Sequence, residues 1–220
     1  MTDESEAGPN DRGFTMLELL VATAVFSVLM AIVGGAMLSG FSGVRNIMAR
    51  TDDQSSARNA GIIAEKLLRY VDLPEGQTAS ITEAGPTSIT FFTYSGTGSK
   101  HDVPYRARIY TVTNADGTRS LMTQVSTPRA VSGGWTYPTA PVTKTLLTLP
   151  SSATQPLRVT VWVRNPLTVP AAEPRNATPA TSGPLVLSTG EVPESVVLEI
   201  GDRLEPRSVI TQQVRLWNLA

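Results

Sequence analysis

The 220-residue chain has no cysteine. Disulfides, thiolate chemistry and cysteine-based metal sites are therefore excluded, and the redox compartment leaves no trace in the composition. Histidine is nearly absent too. The single His101 lies among Gly, Ser and Lys residues and reads as a solvated loop side chain rather than a general base. No charge of either sign dominates: the net charge is −1, and beyond residue 13 there are 17 Lys and Arg against 15 Asp and Glu. Near balance argues against a strong phosphate-backbone binder, because that attraction grows with the number of basic contacts. Residues 14–71 contain no proline, so nothing there forbids a long helix. Within residues 14–44 the only charge is Glu18.

What is present follows from that last gap. An apolar run of this length exceeds the roughly 20 residues that cross a bilayer's hydrocarbon core. A secretory signal would start with basic residues and carry a core of about 7–15 apolar residues. Here the start is acidic, with Asp3, Glu4, Glu6 and Asp11 against Arg12. A plain single-pass anchor fits the length but leaves Glu18 unexplained. A charge at the centre of a membrane helix costs roughly 2.5–3.5 kcal/mol on insertion scales. Glu18 lies nearer one edge, which softens that cost without removing it.

Residues 1–12 are polar and include Gly8-Pro9-Asn10, which predicts disorder. One long helix is predicted over 14–71, membrane-type over 14–44 and amphipathic over 45–71. Gly34, Gly35, Gly40 and Gly43 interrupt its first half, where close helix packing and local softness are both open readings. In the second half Ala57, Ala60, Ile63 or Ala64, Leu67 and Val71 form one apolar stripe, widened by Leu68. Arg58, Glu65, Lys66 and Arg69 fall on the wetter side.

After Pro74 the pattern turns to strands. Residues 88–94 and 105–113 are rich in β-branched and aromatic side chains. Asn114-Ala115-Asp116-Gly117 predicts a hairpin turn into 119–125. Further strands are predicted at 144–149, 157–164, 195–200 and 208–217, with Ile210, Gln212, Val214 and Leu216 on one face. Residues 165–184 are rich in Pro, Ala and Thr and predict a structureless loop. The sum is an α+β fold in which the amphipathic helix covers an antiparallel sheet spanning 72–220.

Other candidate sites are weak. Ser95-Gly96-Thr97-Gly98-Ser99 lacks the Gly-Lys-Ser/Thr ending of a phosphate-binding loop and reads as a hairpin tip. Asp52-Asp53 and the Asp72, Glu75 pair lack calcium-loop spacing. Asn176-Ala177-Thr178 matches a glycosylation sequon, a tripeptide that arises often by chance. Trp135, Trp162 and Trp217 are scattered and lack flanking basic clusters, so packing outweighs base stacking. Arg106, Arg108 and Arg119 are the residues from which a basic stripe would have to be built. No catalytic, cofactor-binding or metal-binding set emerges.

The run Gly13-Phe14-Thr15-Met16-Leu17-Glu18, followed at once by an apolar helix, resembles the type III prepilin signature of type IV pilins and type II secretion pseudopilins. The later strand pattern and the closing Val214-Arg215-Leu216-Trp217-Asn218 look like J-type minor pseudopilins and PilW-like minor pilins. The resemblance implies a pilin-like fold and a structural, non-enzymatic subunit without cofactors. It implies cleavage between Gly13 and Phe14 by a prepilin peptidase, with residues 1–13 as a cytoplasmic leader and N-methylation of Phe14. Glu18 is then the carboxylate that meets the Phe14 amine of a neighbouring subunit during assembly. The implied partners are the peptidase, other pilin or pseudopilin subunits, an assembly platform protein and, before assembly, the lipids of the cytoplasmic membrane. Nucleic acid joins them only in a competence pilus. The chain departs from many relatives in having Gly34-Gly35 where a proline is common, and in lacking a C-terminal cysteine pair. Arg12 on one side faces Arg45, Arg50 and Arg58 on the other, so charge does not set the orientation. The alternative is a single-pass anchor carrying an unrelated binding or catalytic ectodomain.

Overall fold

The computed structural model describes residues 15–94, 103–137, 140–153, 155–167, 173–202 and 209–216. His101, the Ser95–Ser99 run, Gly13, Phe14 and Trp217 lie outside them. Among the described residues, one helix, α1 (Met16–Leu68), is followed by twelve strands. The chain divides into two compact units, Met1–Ala49 and Arg50–Ala220.

In the second unit, β10 (Gly183–Pro184), β1 (Ile81–Gly85), β2 (Ser88–Thr93), β3 (Tyr105–Thr113), β4 (Arg119–Ser126) and β7 (Val142–Leu149) form a six-stranded sheet in that order. A second sheet runs β12 (Ile210–Arg215), β11 (Val192–Ile200), β8 (Leu157–Arg164), β9 (Arg175–Asn176). A short ribbon joins β5 (Arg129–Val131) to β6 (Gly134–Thr136). Their pairings are all antiparallel. The expected α+β fold with an antiparallel β domain is present, its strands divided between two main sheets linked by the Val159 N–H donating to the Pro86 carbonyl at 2.9 Å, with the β5–β6 ribbon apart.

The alternation read from the sequence decides which side chains go inside. Val159, Val161 and Val163 of β8 lie beside Val196, Leu198 and Ile200 of the neighbouring β11 in one buried cluster with Ile89, Phe91, Ile109 and Leu121 of the larger sheet. Ala57, Ala60, Ala64 and Leu68 bring the helix into the same cluster, each no more than 1% exposed. Their spacing is one helical face, and three alanines let the backbone approach closely. Leu68, not Leu67, carries the end of the stripe: Leu67 is only half-buried. On β12, Val214 is buried, Ile210 and Gln212 are half-buried, and Thr211, Gln213 and Arg215 point outward, as the pattern predicts.

The helix ends at Leu68, three residues short of the expected Val71. Val71 instead forms an isolated antiparallel bridge with Thr93. The last carbonyls of a helix have no partner within it. Here the buried Thr93 hydroxyl donates to the Leu67 carbonyl at 2.7 Å, and the Tyr94 N–H donates to the Tyr70 carbonyl at 3.1 Å. The start of the sheet therefore closes the end of the helix. At 114–117 the predicted turn is present: Asn114 N–H donates to the Thr118 carbonyl, and Gly117 adopts φ +82°, a conformation glycine accepts without penalty.

The predicted loop at 165–184 is corrected for its described residues, where β9 and β10 are paired strands. β9 lies on the edge of the smaller sheet and β10 on the edge of the larger, so one Pro-rich segment covers an edge of each. Composition missed this because two-residue strands are held by the edge they join, not by their own propensity. Arg175 grips Glu191 with two hydrogen bonds of 2.6 and 2.5 Å, and the Ser188 N–H adds a third at 2.7 Å. These bonds, Arg175 first, hold the Glu191 carboxyl down to about 2. Ser182 passes so close to β1 that a Cβ on Gly85 would lie 2.6 Å from its Cα. The sequon belongs to the fold as well. Asn176 Oδ1 accepts from the Thr178 N–H, while the Thr178 hydroxyl oxygen accepts from the Val161 N–H.

Thr93→Val keeps the shape of the side chain but leaves the buried Leu67 carbonyl without this donor. We expect a loss of about 1–3 kcal/mol in denaturant unfolding of the detergent-solubilised protein, with Thr93→Ser close to wild type. Equal stability of the valine variant would show that the helix end is closed by other contacts.

Candidate functional site

Helix α1 begins where the chain has least water-soluble character. Its first bond runs from the Leu19 N–H to the Thr15 carbonyl at 3.2 Å, which makes Thr15 the residue preceding the first helical position. The first amides of any helix lack internal acceptors. Thr15 and Glu18 satisfy two of them reciprocally. The Thr15 hydroxyl oxygen accepts from the Glu18 N–H at 3.3 Å, and Glu18 Oε2 accepts from the Thr15 N–H at 3.0 Å. The Thr15 hydroxyl also donates to Glu18 Oε2 at 3.0 Å. This is the Thr-x-x-Glu capping box, and the negative charge also sits favourably at the positive end of the helix dipole.

Glu18 therefore has an intrachain role, which the sequence reading overlooked. The signal was present: a Thr three residues before a Glu, ahead of an apolar run. The two hydroxyls that follow are likewise satisfied within the helix, Thr23 by the carbonyls of Leu19 and Leu20 and Ser27 by that of Thr23. Among the described residues, Glu18 is the one ionisable group from Met16 to Ser39, a stretch long and apolar enough to cross a membrane.

That stretch is apolar all round and, among the described residues, exposed. Leu17, Leu20, Phe26, Leu29, Ile32 and Met37 are all more than half exposed. So large an apolar surface marks a membrane or protein contact. A Cβ added at Gly34, Gly35 or Gly43 would meet nothing within 4 Å, and none has positive φ. The chain's own fold does not require glycine there.

The remaining candidates do not converge on a catalytic site. Asp52 and Asp53 are exposed helix positions, and Asp72 accepts a hydrogen bond from the Leu73 N–H. Among the described residues no cluster of His, Asp or Glu suits a metal ion. Trp162 and Trp135 are half-buried sheet residues. Arg106 and Arg108 come together on the face of β3 opposite Ala107 and Ile109. Arg119 does not join them: it lies at the other end of β4 and donates to the Ala153 carbonyl at 2.9 Å.

Residues 8–34 match the family model for the prokaryotic N-terminal methylation motif. The match contains Gly13, Phe14 and Glu18 and ends at Gly34 within the apolar stretch, and it supports the prepilin and pseudopilin family. No curated protein and no solved structure matches the chain.

Thr15→Val removes the hydroxyl from the capping box. With a typical cap contribution of about 1 kcal/mol, amide hydrogen exchange at residues 16–19 should accelerate roughly fivefold in detergent micelles, while Thr15→Ser stays near wild type. Unchanged exchange in the valine variant would remove the capping role.

Proposed function

We propose that this chain is a minor pilin or pseudopilin, a structural subunit of a type IV pilus or a type II secretion pseudopilus. One observation carries the reading: the methylation motif spans the very residues that open an apolar helix exposed on all sides. The motif implies processing by prepilin peptidase and assembly with other pilin subunits, and families carrying it are structural rather than enzymatic. It also fits a single-pass anchor in the inner membrane.

In this reading the peptidase cuts between Gly13 and Phe14, Phe14 becomes the methylated N-terminus, and residues 1–13 are lost. Residues 14–44 exchange lipid for neighbouring helices, the helix continues to Leu68 with its last turns against the β domain, and 72–220 stand outside the cytoplasm. The platform protein and the choice of pilus, secretion or competence system belong to the same proposal.

The chemistry of assembly follows from charge. A free α-amine has a reference pKa near 8 and is cationic at neutral pH. Burying it alone is costly, as is burying a carboxylate alone, whereas each makes the other tolerable when paired in a low-dielectric interior. The cap uses Oε2 of Glu18 and the amide of Thr15, one residue inside the cut. It is therefore compatible with both precursor and mature chain, and with a neighbour's Phe14 amine approaching the carboxylate. The anchor alternative now has an observation in its favour, since the cap alone explains a Glu at this position.

Two substitutions separate the roles. Glu18→Gln keeps a carbonyl oxygen able to accept from the Thr15 N–H but loses the charge, whereas Glu18→Ala loses both. Both variants should be cleaved normally and fail to enter filaments sedimented from cells. Incorporation of the glutamine variant at wild-type levels would reduce Glu18 to a helix cap.

A further inference from the structure

The outer face of the six-stranded sheet holds a polar cavity of about 220 Å³, lined by Glu83, Thr90, Arg106, Arg108, Gln124 and Ser126 around Ala107. Strand register explains why these side chains meet. Glu83, Thr90, Arg108 and Gln124 are successive cross-strand partners on β1, β2, β3 and β4, and Arg106 pairs with Ser126 one step along. Side chains two apart on a strand share a face, so both guanidinium groups project on the side away from the buried Ala107 and Ile109.

Three features make this more than a solvated strand face. The Arg108 guanidinium lies over the Tyr110 ring, its Cζ 4.8 Å from the centroid. Its Nε is buried and has no hydrogen-bond partner, an expensive condition for a charged donor. The one carboxylate present, Glu83, accepts from the Thr90 hydroxyl at 3.4 Å, and no ion pair ties it to either arginine among the described residues. The local charge is thus one positive unit in excess.

We infer that this cavity binds a single carboxylate group, held by Arg108 and Arg106 with Gln124 and Ser126 as neutral hydrogen-bond partners. Arginine's planar fork matches carboxylate geometry in a two-bond arrangement. The charge count selects the ligand class. One excess positive charge balances a monoanion, while Glu83 repels a run of phosphates. The third arginine of this sheet, Arg119, is five residues along β4 from Gln124, roughly 17 Å at strand spacing, and Lys144 of β7 pairs with the buried Thr123 rather than with Gln124. The cavity is consequently a poor nucleic-acid track and a suitable seat for the acid side chain of a polypeptide or for a small organic acid.

The test uses the full mature chain in detergent micelles, labelled with 15N, following the Arg108 Nε–H resonance. The probes are a capped Gly-Asp-Gly peptide, its Gly-Asn-Gly counterpart, glucuronate, inorganic phosphate and a 12-nucleotide single-stranded DNA. A saturable shift with the Asp peptide or glucuronate, absent with the Asn peptide, bears the proposal out, and the tighter of the two identifies the source of the carboxylate. Arg106→Gln should weaken that binding at least threefold. Glu83→Gln should tighten it roughly threefold, the size of a partly exposed charge interaction, a gain that misfolding does not produce. No shift with either carboxylate, or tighter binding of phosphate or DNA, would overturn the proposal.

Discussion

A helix apolar enough to cross a membrane brings little water to its first amides, and this constraint organises the N-terminal part of the molecule. In hydrocarbon every backbone donor must find its acceptor within the protein. Thr15 and Glu18 supply acceptors for two of those donors over a single turn, and the hydroxyls of Thr23 and Ser27 turn inward on their own helix for the same reason. The carboxylate that looks like an anomaly in the sequence is the acceptor this arrangement needs. Its charge is the part that capping alone does not require, since a neutral glutamine can also accept from the Thr15 N–H. Charge is thus where the assembly proposal and the plain anchor part company.

The second unit solves the opposite problem, which is to bury apolar surface in water. Three alanines and Leu68 on one helical face do so by close approach, with valine and leucine strands supplying the bulk. The two ends of α1 are closed by different chemistry. The start is closed by its own side chains, and the end by Thr93 from β2. Only the second kind depends on tertiary structure, so the helix end and the sheet are expected to form together.

Legibility followed the strength of the local pattern. β8 was readable to the residue because Val159, Val161 and Val163 alternate with polar neighbours, and the Asn114–Gly117 turn carries its own geometry. β1 was missed because Ile-Thr-Glu-Ala-Gly has little strand propensity, and its place comes from pairing with β2. β9 and β10 were invisible because composition says nothing of a sheet edge waiting to be covered. The split into two sheets was likewise beyond pattern, since alternation gives the face of a strand and not its neighbour. At the candidate site, Glu18 was found by its charge, while Thr15 was passed over because a threonine before a helix attracts no notice beside an acid in an apolar run.

Everything proposed for assembly requires that Gly13 and Phe14 form a processing site and that the capped helix opens the mature chain. Intact-mass and N-terminal analysis of the chain, extracted from membranes of cells containing an active prepilin peptidase, tests this most directly. The account predicts a chain lacking residues 1–13 and beginning with N-methylated Phe14. A chain that keeps residues 1–13 in such cells would contradict it and leave α1 as an anchor alone.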